Sequence, residues 1–122
     1  MGAPQGWIGV DLDGTLARYD GWRGELHIGG PVPAMVDRVK AWLDEGADVR
    51  IFTARLTEGP QNRDGTLHDI SAVREAIEQW CVAHIGRALP VTNVKDYGMV
   101  ALYDDRAVQI IQNTGLRADG QP

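Results

Sequence analysis

Residues 7–16, which read WIGVDLDGTL, decide the fold of this chain of 122 residues. The stretch opens with Trp7–Val10, an apolar run with the length and character of a short buried strand. Two carboxylates, Asp11 and Asp13, follow directly, and Gly14 then turns the chain. Because an unpaired buried charge is costly, a cation is expected beside them, although a strand followed by an ordinary Asp-Gly turn explains the same residues.

The composition predicts one folded domain over residues 1–122. This length is enough for one core and too short for two, and the hydrophobic fraction of 43% is ordinary for a globular protein. The formal net charge of −5 argues against non-specific nucleic-acid binding, which needs a basic face. Nucleic acid is therefore expected as a partner only through a phosphorylated end, whereas a phosphorylated substrate stays compatible because local charge can oppose net charge.

The single cysteine of the chain, Cys81, has no partner for an internal disulfide, which fits a reducing compartment. It falls in a helical apolar pattern, so we interpret it as a core thiol and not as a nucleophile. No apolar run approaches the length of a membrane span, and the N-terminus lacks a signal-peptide pattern. We therefore expect a cytoplasmic protein without a membrane partner.

Strand and helix patterns alternate along the chain and predict an α/β fold. A helix is expected after Pro33, which suits a first helical turn, and residues 49–53 form the second predicted strand. The apolar stripe over 73–85 predicts another helix, followed by a β-prone segment at 90–94 and an apolar strand at 99–103. A strand, a crossover helix and a strand in this order imply a parallel pair with a right-handed connection.

Three segments are predicted to lie outside the regular elements. The Gly-rich residues 17–30 form a loop or small hairpin, in which Trp22 either packs the hairpin onto the body or covers a bound ligand. The polar loop 55–68 is long for a plain connection and ends in His68, which is either a surface histidine or a substrate contact. The polar residues 113–122 are expected to be a loose tail.

Polar side chains stand where the predicted strands end. Asp11 ends the first strand with Asp13 close behind, Thr53 ends the second, and Asp104 and Asp105 follow a later one. In an open parallel sheet these carboxyl ends face one crevice, and four carboxylates there require a cation or proton uptake. Oxygen-only ligands favour Mg²⁺, which also accepts a substrate phosphate as a ligand. Thr53 offers a hydroxyl and a strand-end amide for phosphate oxygens.

A cationic side chain is also expected against a phosphoryl group. The chain has two lysines, and Lys40 lies on the polar side of a predicted surface helix. Lys95 precedes the strand that delivers Asp104, so elimination favours Lys95. Arg55 and Arg106 are the alternatives for the same role.

Four short motifs occur in a characteristic order over most of the chain. They are DLDGT at 11–15, Thr53 inside FTAR, Lys95, and the pair Asp104 and Asp105 inside YDDRA. In this the chain resembles the haloacid dehalogenase superfamily, in its magnesium-dependent phosphatase branch. The resemblance implies a Rossmann-like three-layer α/β/α fold with a mainly parallel sheet and no large cap domain.

The resemblance also implies a phosphatase reaction. Asp11 would attack phosphorus to give an aspartyl phosphate, and Asp13 would protonate the leaving oxygen and then activate water. Thr53 would orient the phosphoryl oxygens, and Lys95 would neutralise charge between the nucleophile and the phosphoryl group.

The same resemblance implies the magnesium ligands. Asp11, the backbone carbonyl of Asp13, and Asp104 would hold Mg²⁺, with Asp105 ligating directly or through water. The implied function is a Mg²⁺-dependent phosphomonoesterase acting on a phosphorylated substrate.

Without room for a large cap, the site has to be covered by the chain's own loops. Trp22, Arg55 and His68 lie in these loops and are the candidate substrate contacts. Capless members of such a family act on large or exposed phosphate groups or use a partner subunit as a lid, so a homo-oligomer is one expectation.

The segment between Lys95 and the strand at 99–103 departs from the family, which places a helix near there. A parallel crossover takes about a dozen residues. The place of residues 90–94 in the sheet, and the reach of Lys95, therefore stay open.

Two other classes of protein compete with the phosphatase interpretation. Response-regulator receivers also combine acidic residues, a Thr and a Lys around Mg²⁺, but there Lys comes last, whereas here Lys95 precedes the pair Asp104 and Asp105. The other alternative is a phosphatase-like fold that only binds, against which the intact acidic set argues. Steady release of phosphate would separate an enzyme from both.

Overall fold

A four-stranded, fully parallel sheet forms the centre of the protein, whose computed structural model describes residues 5–59, 62 and 64–122. The strands are β1 (Trp7–Val10), β2 (Asp48–Phe52), β3 (Val91–Thr92) and β4 (Met99–Tyr103), in the spatial order β3-β2-β1-β4. The predicted parallel α/β fold is confirmed, and the described residues form no cap domain. The β-prone segment at 90–94 supplies the strand at the β2 edge.

Both long helices join the same core on one face of the sheet. Helix α1 (Pro33–Asp44) connects β1 to β2, and helix α2 (Ile70–His84), capped by the Asp69 carboxylate, connects β2 to β3. Right-handed crossovers to successive neighbours place two helices on one side of a sheet. The core combines side chains from these helices with alternate residues of the strands: Ile8, Val10, Met35, Val39, Val49, Ile51, Val73, Ile77, Cys81 and Val91. Cys81 is confirmed as a core thiol, and burial raises its pKa to about 11.

The opposite face of the sheet is covered without a helix among the described residues. The indole of Trp7 lies on this face, with the Arg50 guanidinium 4.8 Å from its ring centre. Its Nε1 donates to the Asp96 carboxylate at 2.8 Å, and Trp7 is almost fully buried. Gly9 allows this packing, because an added Cβ would lie 2.9 Å from the end of Met99. The expected three layers are therefore reduced here to a sheet, one helical layer and a thin aromatic cover.

Residues 93–98, called the strap from here on, connect the two edges of the sheet. Crossing three strand spacings takes about 14 Å, and returning to the start of β4 takes about 13 Å along the strands. The direct diagonal of these two displacements is about 19 Å, and seven steps of extended chain cover about 23 Å, so the strap reaches β4 only when it is nearly extended. This is why the connection holds no helix, unlike a crossover of ordinary length.

The C-terminal segment forms a short hairpin, although the sequence predicts a loose tail at 113–122. Ile110 and Arg117 make an antiparallel bridge, and the amides of Ile111 and Ala118 donate across it. Asn113 takes a positive φ of 67° in the turn. No helix in the described part of the chain is both long and apolar enough to cross a membrane.

Candidate active site

Three carboxylates come together beyond the carboxyl ends of β1 and β4. Asp11 follows β1, and Asp104 and Asp105 follow β4. The two strands pair in parallel with Val10 opposite Tyr103, so the residues that follow them lie side by side. One oxygen of each carboxylate lies within 4.8 Å of the others. The hydroxyl of Thr15 lies 3.3 Å from the Asp105 carboxylate and 3.5 Å from the Asp11 carboxylate, so it bridges the segments that follow β4 and β1. Thr15 was not predicted as a site residue, although its place in the DLDGT motif was the available signal.

Gly14 makes room for this cluster. Its φ of +86° disfavours any other residue, and an added Cβ would lie 2.6 Å from the Asp105 carboxylate. The turn after β1 therefore brings its backbone directly against an acidic side chain from β4.

The surroundings of Asp11 disfavour its ionised form. Burial raises the pKa of Asp11 to about 7, helped by its hydrogen bond with Asp105 and by the charges of Asp104, Asp105 and Asp13. An ionised Asp11 is thus disfavoured unless a cation joins the cluster.

Magnesium fits the donors that the structure brings together. Asp11, Asp104 and Asp105 offer hard oxygens only, and no His or Cys belongs to this group among the described residues. The carboxylate of Asp13 lies outside the group, so Asp13 would contribute through its backbone carbonyl, as the resemblance implies. These assignments stay predictions.

Mg²⁺ should raise the melting temperature of the protein, because it binds the folded cluster and relieves its repulsion. Asp104→Asn should remove most of that rise, since it deletes one charged ligand. The measurement is thermal unfolding with and without Mg²⁺, with Asp37→Asn, an exposed change on α1, as the matched control. An equal rise in both variants would contradict the proposed ligand set.

In the metal-free protein, stability should fall as the pH rises from about 4 to about 7. The unfolded chain releases the Asp11 proton near its ordinary pKa of 3.8, whereas the folded protein holds it until about 7. The folded state therefore binds more protons in this window, and rising pH favours unfolding. Urea unfolding in EDTA checks this, and Asp11→Asn should flatten the slope; an unchanged slope would contradict the assignment.

A buried arginine in the turn that follows β2 binds the Asp13 carboxylate. Arg55 lies in the 3₁₀ turn Ala54–Leu56, and its side chain is 5% exposed. Its Nε and Nη2 donate to the two oxygens of Asp13 at 2.7 and 2.8 Å. This two-pronged contact fixes the carboxylate plane. Each Asp13 oxygen still has a lone pair for a substrate proton.

Thr53 is buried, and only part of its predicted donor set is available. Its amide donates to the carbonyl of Thr92 at 2.9 Å, so the predicted strand-end amide is already used by β3. Its hydroxyl oxygen accepts from the Arg55 amide at 3.1 Å. The hydroxyl proton is what Thr53 can give a phosphoryl oxygen.

These groups line one cavity of about 490 Å³, a size typical of small-molecule sites. The lining combines acidic, basic and aromatic residues. The full lining is Asp11, Asp13, Tyr19, Trp22, Phe52, Thr53, Ala54, Arg55, His68, Asp104, Asp105 and Arg106. The predicted substrate contacts Trp22, Arg55 and His68 are thus brought together.

The two loops pack on each other over the cavity. Trp22 from the first loop stacks with His68 from the second at 5.9 Å between ring centres, and the Arg55 guanidinium lies 4.9 Å from the Trp22 ring. Arg55 Nη1 also donates to the carbonyl of Glu25 at 3.0 Å. Trp22 therefore both packs its loop onto the body and borders the cavity. Glu25, which sequence reasoning missed, gave no motif signal.

Lys95 is not among the described residues that line this cavity. It is exposed on the strap, one residue before Asp96, which is tied to Trp7 at the amino end of the sheet. Arg55 and Arg106, the alternatives to Lys95, are both among the residues that line the cavity.

Comparisons with known proteins identify the fold but no family. A scan of protein-family models and a search of curated proteins both give no match. Among solved structures, the chain is similar to a conserved protein from Bacteroides thetaiotaomicron, with a TM-score of 0.57 and 20% identity. The similarity covers 98% of this chain and 83% of that one. At this identity the likeness supports the fold alone.

Proposed function

We propose that the protein is a Mg²⁺-dependent phosphomonoesterase that acts through an aspartyl phosphate on Asp11. The observation that carries the proposal is one cavity joining Asp11 and its acidic neighbours to the Thr53 hydroxyl and to two arginines. Carboxylates beside phosphate-binding donors suit phosphoryl transfer, in which positioning and electrostatics supply most of the rate.

Each residue has a separate part in this reaction. Asp11 attacks phosphorus, forming the Asp11–phosphorus bond while the ester oxygen leaves with a proton from Asp13. Asp13 then takes a proton from water, whose oxygen attacks phosphorus and releases inorganic phosphate from Asp11. The Thr53 hydroxyl donates to a phosphoryl oxygen, and Arg106, which lines the same cavity, offers positive charge. Arg55 keeps the Asp13 carboxylate in place throughout.

Magnesium would be held by Asp11, Asp104, Asp105 and the Asp13 carbonyl, and would supply charge neutralisation that lets ionised Asp11 meet an anionic ester. The fold-family resemblance and the DLDGT, FTAR and YDDRA motifs support this assignment. We also place the protein in the cytoplasm, where Cys81 would stay reduced.

The direct test is steady release of phosphate from p-nitrophenyl phosphate with and without Mg²⁺. Many turnovers that require the metal are expected. A single stoichiometric phosphorylation without turnover would instead indicate a phosphoacceptor domain, and binding without any phosphoryl transfer would indicate a binding module.

Lys95→Met should leave the fold intact and strongly depress turnover if Lys95 moves to the phosphoryl group, as the resemblance implies. Because Lys95 is exposed outside the cavity, Arg106→Met is the decisive comparison. Steady-state kinetics of both variants measure this. An active Lys95→Met beside a failing Arg106→Met would transfer the cationic role to Arg106.

A further inference from the structure

A second cavity, of about 310 Å³, is formed largely by residues 18–30 of the first loop. We call it the loop cavity. Asp13, Tyr19 and Arg55 line both this cavity and the first one, so the two cavities adjoin at these side chains. The reaction proposed above gives the loop cavity no role.

The loop around this cavity is held in place by the body of the protein. The amide of Arg18 donates to the carbonyl of Gly30 at 2.8 Å, which closes the loop at its base. Trp80, in helix α2, donates from its indole to the carbonyl of Gly29 at 2.9 Å. Gly29 lies so close to the opposite side of the loop that an added Cβ would collide with the Arg18 carbonyl. The walls of the loop cavity are therefore formed by an anchored backbone.

Three basic side chains line the loop cavity without a hydrogen-bond or ion-pair partner among the described residues. They are Arg18, Arg23 and His27, and all three are exposed. The lining also includes Asp20, whose charge offsets that of one guanidinium at most. Positive charge in a concave wall raises the local concentration of anions, because the low-dielectric protein around the cavity focuses the field.

Arg55 adds a buried guanidinium to the same lining. Its Nε and Nη2 bind Asp13, which also lines the cavity, so these two charges offset each other. Its Nη1 donates to the carbonyl of Glu25. A guanidinium has five N–H groups, so one on each Nη is left without a partner among the described residues, on a side chain that is 5% exposed. The loop cavity is therefore locally basic, although the whole chain has a formal net charge of −5.

The residue types in the lining indicate an anion of the phosphate or carboxylate kind. A guanidinium presents parallel N–H groups that match two oxygens of a carboxylate or a phosphate. The imidazole of His27 has an N–H to donate in either protonation state. Exposed arginines elsewhere on a protein often serve solubility alone, but here Arg18 and Arg23 converge with His27 on one concavity. Convergence of polar groups on a cavity is typical of a binding site.

We propose that the loop cavity is an anion-binding site, in which Arg18, Arg23 and His27 hold one phosphate or carboxylate group. Two sources present such a group: a free anion, or a second anionic group on a molecule whose phosphoryl group lies in the first cavity. The cavities adjoin at Asp13 and Arg55, so the test has to distinguish the two sources. The inference concerns binding, and it stands whether or not the protein hydrolyses phosphate esters.

The test follows the three histidine rings of the chain by NMR while inorganic phosphate is added to the protein in EDTA. His27 lines the loop cavity and should shift and saturate, whereas His84 lines neither cavity and should stay unmoved. Arg18→Gln and Arg23→Gln should each weaken the phosphate affinity reported by His27 by about tenfold or more, because each removes a charged donor. Arg87→Gln, an exposed change outside both cavities, is the matched control and should keep that affinity.

Arg106→Met separates the two cavities, because Arg106 and His68 line the first cavity and not the loop cavity. This variant should keep the phosphate affinity reported by His27 and reduce any response of His68. A His27 shift that does not saturate, as for an adventitious ion only, would overturn the proposal, and so would equal losses in Arg18→Gln and Arg87→Gln. Loss of the His27 response in Arg106→Met would also overturn it, because phosphate would then bind in the first cavity alone.

A linked pair of phosphates identifies the source of the anion. The probe is propanediol bisphosphate, compared with inorganic phosphate through the same histidine shifts. A second group on one molecule predicts that the bisphosphate binds at least tenfold more tightly than phosphate, and that Arg18→Gln and Arg106→Met both weaken its binding. A free anion predicts similar affinities for the two probes, with Arg106→Met leaving the His27 response unchanged. Neither result depends on turnover, so a failure of the phosphatase proposal would not decide this one.

Discussion

Asp11→Asn is expected to abolish turnover and phosphoryl-enzyme formation, whereas Asp13→Asn should keep the nucleophile and slow both steps. Removing a nucleophile costs roughly a thousandfold or more, and removing a general acid and base costs about a hundredfold or more. The Asp13→Asn defect should be smaller for p-nitrophenyl phosphate, whose leaving group needs little protonation. Rapid-quench trapping of labelled protein measures the intermediate, which can accumulate in Asp13→Asn once water activation limits the rate.

Stability measurements show whether a loss of activity in either variant is caused by unfolding. Asp11→Asn removes one charge from the crowded cluster, so the metal-free variant should melt above the parent at neutral pH. Asp13→Asn should melt below it, because Arg55 loses its charged partner. Covalent label in Asp11→Asn, or label on a serine or histidine of the parent, would overturn the mechanism.

Arg55→Met should lower stability by about 3 kcal/mol, at the lower end for removing one partner of a buried ion pair, because Asp13 keeps some exposure. It should also depress kcat/KM at least tenfold, since Asp13 and the Glu25 loop lose their common anchor. Arg55→Lys should rescue little, because an ammonium cannot make the two-pronged contact. Urea unfolding and steady-state kinetics measure the two effects.

The matched control is Arg117→Met, which breaks a two-pronged pair with Asp119 on the exposed C-terminal hairpin. Exposed pairs contribute less than about 1 kcal/mol, so this variant should stay close to the parent. The double variant Arg55→Met with Asp13→Asn should be no less stable than Arg55→Met alone, because no uncompensated carboxylate remains. Equal losses for Arg55→Met and Arg117→Met would show that the Asp13 contact contributes nothing special.

The sequence predicted the strands and helices where hydrophobic periodicity was strong. The buried run before Asp11 and the apolar stripe around Ile77 have a single interpretation, and both lie in the core. The connection after β3 was different, because its six residues carry no periodicity. Only the tertiary pairing of Trp7 with Asp96 shows where this connection runs, which the sequence left open.

Within the candidate site, the sequence predicted that residues at strand ends converge, but it did not predict which side chains meet across the loops. Asp11 and Asp104 converge because parallel pairing brings strand ends together, a rule that sequence order alone supplies. No such rule joins Glu25 to His68, or sends Arg55 to Asp13 instead of to the phosphoryl group. Those contacts depend on the conformations of loops whose sequences show no hydrophobic periodicity.

Because β4 lies at the edge of the sheet, the proposed metal would also affect the local stability of this strand. Among the described strands, β4 pairs with β1 alone, and its residues are half-buried or exposed. Two of the proposed acidic ligands follow it directly. Such an element can detach in a local opening while β1, β2 and β3 stay folded. Only the docked strand presents Asp104 and Asp105 to Asp11, so bound Mg²⁺ would slow amide hydrogen exchange in β4 more than elsewhere. The proposed Mg²⁺ would then also stabilise the docked position of the edge strand β4.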